Sequence, residues 1–292
     1  MNRKAVTKIE LAVVVAIVAI LVGLLFPSVE RVRESSSRLR TNSNLKNCAL
    51  ATHGYFDNYK IFPDGFGRNV KLGKNLSLWS QLLPFLEAGP DLQNDAMNIV
   101  HAYQAPSDAI TTDWRGLVGF AGNVRIFGHQ TLLETQQPVN EPGQAVTIAA
   151  GPLISGLTLK DIDDGSSNTI LMSTRYANCA GQRTWYAADA FGNCELGPLP
   201  SPGVGGFMGA GSSSKPASRM GDVSMMFQSV PTEAGCLPQA GIFGHSFGTG
   251  GMSVALCDGS VRNIRPDMSP TTFARALCPA DKQKHSADWS DD

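Results

Sequence analysis

Residues 11–26 read LAVVVAIVAILVGLLF, sixteen positions without a charge or a polar side chain. With Ile9 and Glu10 in front, the run approaches the ~20 residues that a helix needs to cross a hydrocarbon core. No second apolar stretch of this length follows. Arg3 and Lys4 precede it and, by the positive-inside rule, leave the N-terminus in the cytoplasm and the remaining chain beyond the membrane. A cleaved secretory signal needs small residues just after the apolar region, and Pro27-Ser28-Val29-Glu30-Arg31 does not supply them. A lipoprotein signal needs a cysteine there, and the first one is Cys48. A plain anchor leaves Glu10 unexplained, because an ionisable group at the edge of a span is costly.

The remaining sequence belongs to a different solvent. Its 24 Lys+Arg and 25 Asp+Glu give the 292-residue chain a net charge of -1, which excludes the basic face that a nucleic-acid binder needs. Charged residues are 17%, against roughly 25% in an average soluble protein. The 30 glycines and 17 prolines point to a loop-rich or β-rich body. From Ser28 to Tyr59 the pattern is helical: Val29, Val32, Leu39, Ala49, Thr52 and Tyr55/Phe56 recur at about helical spacing, with charged residues between them. We read this stripe as packing against a head domain, with the charged first half an exposed spacer and Leu45 onward docked.

After Asp57-Asn58-Tyr59, Gly, Pro and Asn punctuate short apolar runs, among them Leu117–Ala121, Val146–Ala149 and Thr169–Ser173. SLWSQLLPFL (77–86) reads as a short helix stopped by Gly89-Pro90. Met252–Cys257 and Val261–Ile264 flank Asp258-Gly259, the signal of a two-residue β-hairpin. The expected fold is α+β: a long N-terminal helix laid on an antiparallel sheet, with many loops. Gly197–Asp222, rich in glycine and proline, reads as a solvated insertion, and the polar tail from Asp281 is expected to fray.

The N-terminal segment resembles that of type IV pilins and pseudopilins. In that family a short basic leader is followed by a cleavage site, then by a glutamate at the fifth mature position and an apolar helix. Placing Glu10 fifth makes Ala5 the last leader residue and Val6 the first mature one. The resemblance implies that a prepilin peptidase cuts between Ala5 and Val6 and methylates the new amino group. It also implies that Glu10 sets subunit register, its carboxylate meeting the α-amino group of a neighbouring subunit. Pro27 falls where pilin helices commonly kink. Ala5 stands where glycine is usual, and Lys8 where an apolar residue is usual.

Further blocks resemble the bacterial family called domain of unknown function 1559, whose members join a prepilin-type N-terminus to a C-terminal H-x(9)-D-G motif. They are SNLKNCALATHGYFDNYKIFPDG (43–65), LWSQLLPFLE (78–87), APSD (105–108), DIDDGSSNTILMST (161–174) and GGMSVALCDGSVRNI (250–264), in the family's order. The motif is degenerate here: Asp258 and Gly259 are present, but Gly248 holds the histidine's place and the nearest histidine is His245. Thr41 and Ala105 stand where the family usually has cysteines. Their joint absence is what the loss of one disulfide would leave.

The cysteines that remain are 48, 179, 194, 236, 257 and 278. Outside the cytoplasm they can oxidise. Many pairings are open, and nearness in sequence suggests Cys179–Cys194 and Cys257–Cys278. No C-x-x-C pair occurs. Asp161, Asp163, Asp164 and Asn168 form the densest acidic cluster, a set of hard oxygen donors suited to Ca2+; without it, no cofactor is expected. The other reading of this cluster is an Asp-Gly turn with Asn168 capping the backbone. Gly244-His245-Ser246-Phe247-Gly248 fits G-x-S-x-G, and Asp258 or Asp267 and then His285 follow in the order of a hydrolase triad. That elbow needs a helix after it, whereas a hairpin follows, so the spacing gives catalysis no support. Trp185-Tyr186 could line a sugar-binding surface, though core packing is the commoner fate of such residues.

Five segments result: a leader (1–5), a transmembrane and filament-core helix (6–27), a helical spacer (28–60), an α+β head (61–280) and a polar tail (281–292). The expected function is a non-enzymatic pilin- or pseudopilin-like subunit of a type II secretion or type IV pilus-like filament. It would be single-pass in the inner membrane, with the head periplasmic or extracellular. Its partners would be a prepilin peptidase, homologous subunits and inner-membrane lipid. An anchored module that captures a glycan or solute is the alternative, and a serine hydrolase at Ser246 a remote one.

Overall fold

The computed structural model describes residues 8–68, 75–86, 98–127, 157–179, 182–183, 207–208, 227–236, 244–280, 282, 285 and 287–289. Its first element, α1 (Lys8–Tyr59), is one helix of 52 residues, about 78 Å long at 1.5 Å per residue. It runs unbroken through position 27, where proline removes one amide donor from the helical ladder. It ends where Lys60 takes a left-handed φ of 64° and its amide donates to Phe56 O at 2.6 Å, a C-terminal cap.

The strands that follow are short: β1 (Phe66–Arg68), β2 (Asn75–Ser77), β3 (Phe120–Asn123), β4 (Ile170–Thr174), β5 (Asn178–Cys179), β6 (Gln182–Arg183), β7 (Phe207–Met208), β8 (Gln228–Ser229), β9 (His245–Ser246), β10 (Met252–Leu256) and β11 (Val261–Ile264). The main sheet has the order β11-β10-β4-β3-β7. Its first four strands are antiparallel, as expected, with Val254 opposite Ser173 and Ala121 opposite Ser173 in the centre. The fifth, β7, runs parallel to β3 and comes from within the glycine-rich 197–222 stretch, which therefore supplies an edge strand. Three two-stranded ribbons, β1-β2, β5-β6 and β8-β9, complete the described sheets.

Both faces of the main sheet are covered, so β4 and β10 are buried along their whole lengths. Alternation along β10 separates the faces. Ala255 joins the cluster on the α1 side, with Leu45, Cys48, Ala49, Tyr55 and Leu171. Met252, Val254 and Leu256 join the other, with Phe273, Ala276 and Leu277 of α4 (Pro270–Leu277). A short helix α2 (Leu78–Leu82) lies where SLWSQLLPFL predicts one, its N-terminus capped by Ser77 Oγ, which accepts from Ser80 N at 3.1 Å. Another, α3 (Val124–Phe127), continues from β3.

Two expectations change at the C-terminal end. The β10–β11 connection is a three-residue loop, 257–259, closed by Leu256 N to Ser260 O at 2.9 Å. Gly259 takes the left-handed position (φ 82°) that a type I turn plus bulge requires, so one more residue than the Asp-Gly dipeptide is used. The tail does not simply fray. Asp288 accepts from Ser269 N and Thr272 Oγ1, both at 2.7 Å, at the N-terminus of α4. Trp289 is buried between the His285 ring, stacked 4.6 Å away, and the Arg262 guanidinium, 4.3 Å from the ring centre. Polar composition hid one aromatic anchor.

Candidate functional site

Along α1 the surroundings reverse. Ile9 is 77% exposed, Leu11 61% and Val22 49%, and every described side chain from 8 to 23 is exposed. Among the described residues no helix is long and apolar enough to cross a membrane; the described side chains of this run stop at Gly23, and the sequence carries it on to Phe26. Glu10 lies exposed in the first turn, where a negative charge suits the helix dipole. Ala5 and Val6 lie outside the described residues, and of the Pro27 side chain nothing is described. Val29, Val32 and Leu39, in the half of the stripe read as an exposed spacer, are exposed as well. Burial begins at Thr41, and Leu45, Cys48, Ala49 and Thr52 are fully enclosed.

Polar contacts fix where docking starts. Thr41 Oγ1 accepts from Ser107 N at 3.1 Å, and Asn44 Nδ2 donates to the carbonyls of His101 and Gln104 at 3.0 and 2.9 Å. Hydrogen bonds thus join α1 to the 101–107 segment, where the family resemblance places a covalent link. The APSD block also supplies Asp108, a residue without a role in the sequence reading. Asp108 Oδ1 accepts from Ile110 N and Thr111 N, and Oδ2 from Thr111 Oγ1 and Ala177 N. One buried carboxylate so ties two loops together, and burial raises its pKa.

The C-terminal motif meets the same helix. Gly259, at the tip of the hairpin, faces Leu50 and His53: a Cβ there would lie 3.6 Å from the His53 ring. Asp258 Oδ1 accepts from Ser260 N and Oγ at 2.8 and 2.7 Å, so it shapes the turn. The 248–250 loop rests on the spacer. A Cβ on Gly248 would stand 3.5 Å from Glu34 Oε1, and one on Gly250 would overlap the Arg38 guanidinium. The displaced motif position therefore sits over Glu34.

The predicted cysteine pairs are not the ones formed. Cys179 is joined to Cys236, 57 residues away, and not to Cys194, which lies outside the described residues. Cys257 and Cys278 remain thiols. Cys257 belongs to the α1-side cluster, whereas Cys278 closes α4 on the opposite face of the sheet. Nearness in sequence is no guide when a sheet stands between two residues.

Around the disulfide, Cys179, Cys236 and Tyr176 pack together with Phe247. His245 is buried beside them, its Nε2 at 3.5 Å from Cys236 Sγ and 3.8 Å from Cys179 Sγ. Burial, and then the nearby Arg175 charge, push its pKa down to about 3, so the ring is neutral. Tyr176 N donates to Nδ1 at 3.4 Å. No sequence signal joined these residues, because Cys236 and His245 are spaced like no common metal motif.

The aspartates of the acidic cluster are engaged by neighbouring groups of the chain. Asp161 Oδ2 accepts from Thr158 N and Oγ1, both at 2.7 Å, in a capping box. Asp163 pairs with Lys282 Nζ at 3.3 Å, and Asp164 Oδ1 accepts from Lys282 N at 2.7 Å. Asn168 Nδ2 donates to Asp164 O across a turn with Gly165 at φ 94°. Among the described residues the group placed to hold a metal ion is Cys179, Cys236 and His245.

Ser246 is buried, and its hydroxyl donates to the carbonyls of Gly248 and Gly251. The chain after it turns into β10 rather than into a helix, so the G-x-S-x-G match has no nucleophile-elbow geometry. Asp267 faces Arg265 and His285 stacks on Trp289. Trp185-Tyr186 lie outside the described residues.

Residues 30–268 match the family described as protein of unknown function (DUF1559). No curated protein and no solved structure matches the chain. The matched span starts within α1 and ends just before α4, so it takes in the docked half of the helix and all five strands of the main sheet.

Proposed function

This chain belongs to the DUF1559 family, and we propose that it is a pilin- or pseudopilin-like structural subunit of a type II secretion or type IV pilus-like filament. The observation that carries the reading is the divided helix. An apolar surface of the kind formed by Ile9–Val22 is rare in water and calls for lipid or for other apolar helices. The docked half then holds a pilin-like helix-on-sheet head clear of that layer. In this reading α1 anchors the subunit in the inner membrane with its N-terminus cytoplasmic. The head is exported, which the Cys179–Cys236 disulfide supports, because such bonds persist in oxidising compartments. A prepilin peptidase cuts between Ala5 and Val6, and Glu10 sets the register of neighbouring helices through the new amino group. The role is assembly rather than catalysis.

Mass spectrometry of the N-terminus of protein taken from its native host tests this. A methylated Val6 is expected. An intact Met1 on the membrane-embedded protein would overturn the processing, and with it the filament role.

A further inference from the structure

The head holds a cluster that a filament subunit does not require. A structural disulfide needs no imidazole, and burying one sacrifices its hydration. Yet His245 lies beside Cys179–Cys236 at 1% exposure, with the two sulfurs as the partners of Nε2. Four-coordinate zinc holds sulfur at ~2.3 Å and imidazole nitrogen at ~2.0–2.1 Å, which sets adjacent sulfur and nitrogen ligands roughly 3.6 Å apart. The two observed separations, 3.5 and 3.8 Å, bracket that edge. Only the sulfurs must part from each other, which reduction accomplishes.

We infer that Cys179, Cys236 and His245 form, once the cysteines are reduced, a three-ligand site for a borderline-soft divalent cation such as Zn2+, with the disulfide as its metal-free oxidised state. A dithiol supplies two electrons and two protons, breaks the S–S bond and becomes a disulfide itself. Each thiol then releases its proton as its sulfur binds the ion. The imidazole makes one adjustment. In the oxidised protein Tyr176 N donates to Nδ1, which puts the ring proton on Nε2. Binding moves that proton to Nδ1 and gives up the 3.4 Å contact. Thiolate and imidazole donors favour zinc over the oxygen-seeking Ca2+ and Mg2+. Three protein ligands leave one position for water or an incoming donor. Tyr176 forms a wall of the cluster, edge to face with His245 and with Phe247 at 5.3 and 4.8 Å. The inference does not depend on filament assembly.

The full chain in detergent, reduced with a phosphine and desalted without oxygen, would be titrated with Co2+. The expected result is a near-ultraviolet thiolate-to-cobalt band with strong visible bands of a four-coordinate ion, saturating at one equivalent and erased by Zn2+. The oxidised chain should give neither. X-ray absorption of the zinc-loaded protein should show sulfur and imidazole in the first shell, which reads the ligands without any substitution. Absence of the bands in a chain shown to be reduced overturns the site. So does a first shell without imidazole, or a cobalt signal undiminished in Cys236→Ser.

Discussion

The two halves of α1 share a backbone conformation and differ in everything around it. The first half is the more hydrophobic, and its side chains are the exposed ones: Val13, Ile17 and Leu21 are each more than half exposed. The second half mixes Asn, Lys, Thr and His with its apolar residues, yet Leu45, Cys48 and Ala49 reach 0% exposure. In a protein with water as its only solvent the order would be reversed, since burial follows apolar area. The contrast teaches that one helix carries two surfaces with opposite surroundings, and that the head recognises a particular face of the helix rather than its greasiest part.

Deletion of residues 1–27 should break the comparison most completely. It is expected to move the protein from the detergent-requiring to the soluble fraction and leave the head's thermal transition in place; ultracentrifugation and calorimetry read the two effects. A point pair sharpens it. Leu45→Ala opens a cavity between α1 and the sheet and should cost about 2–5 kcal/mol in denaturant unfolding, whereas Leu21→Ala should leave head stability unchanged. Next comes the loop under the spacer. Gly251 has φ 100° and a Cβ there would strike the Ile264 carbonyl, so Gly251→Ala should destabilise by roughly 1–3 kcal/mol. At Gly250 the three nearest atoms all belong to the flexible Arg38 side chain, and Gly250→Ala should stay within about 0.5 kcal/mol. The smallest effect is in the tail. Hydrogen bonds from Ser269 N and Thr272 hold the Asp288 pKa below its usual value. The stability this carboxylate adds is therefore present above its unfolded pKa and lost as pH falls through its folded one. Hydrogen-exchange protection factors at Ser269 and Thr272, corrected for the intrinsic pH dependence of exchange, should fall on acidification, and Asp288→Asn should flatten that dependence.

Much of the helix could be read in advance because its signals are local. An apolar run, a glycine-free stretch from Ser28 to His53 and a spaced stripe need no partner to be recognised. The docking point near Leu45 was legible for the same reason, and the first half of the stripe is exposed as a spacer should be: Val29, Val32 and Leu39 have the helical spacing and stay uncovered. Spacing states which face a residue is on, not whether anything covers that face. The hairpin was found and its loop miscounted by one residue, since Asp-Gly also serves at the end of a three-residue loop. The cysteines failed for a topological reason. Chain order put Cys194 nearest to Cys179, whereas the ribbon of β8 and β9 carries Cys236 to it.

The sequence alone determined that this chain has an apolar helix at one end, a loop-rich α+β body at the other, and a glutamate placed at the edge of the apolar run. These depend on composition and on the helical period, which neighbouring residues set among themselves. Only the tertiary structure decided that docking starts at Thr41, that Asp108 reaches Ala177, and that His245 meets Cys179. Such contacts join residues tens of positions apart, as with Thr41 and Ser107, 66 apart. Closing loops of that length becomes favourable only when the sheet buries both its faces at once.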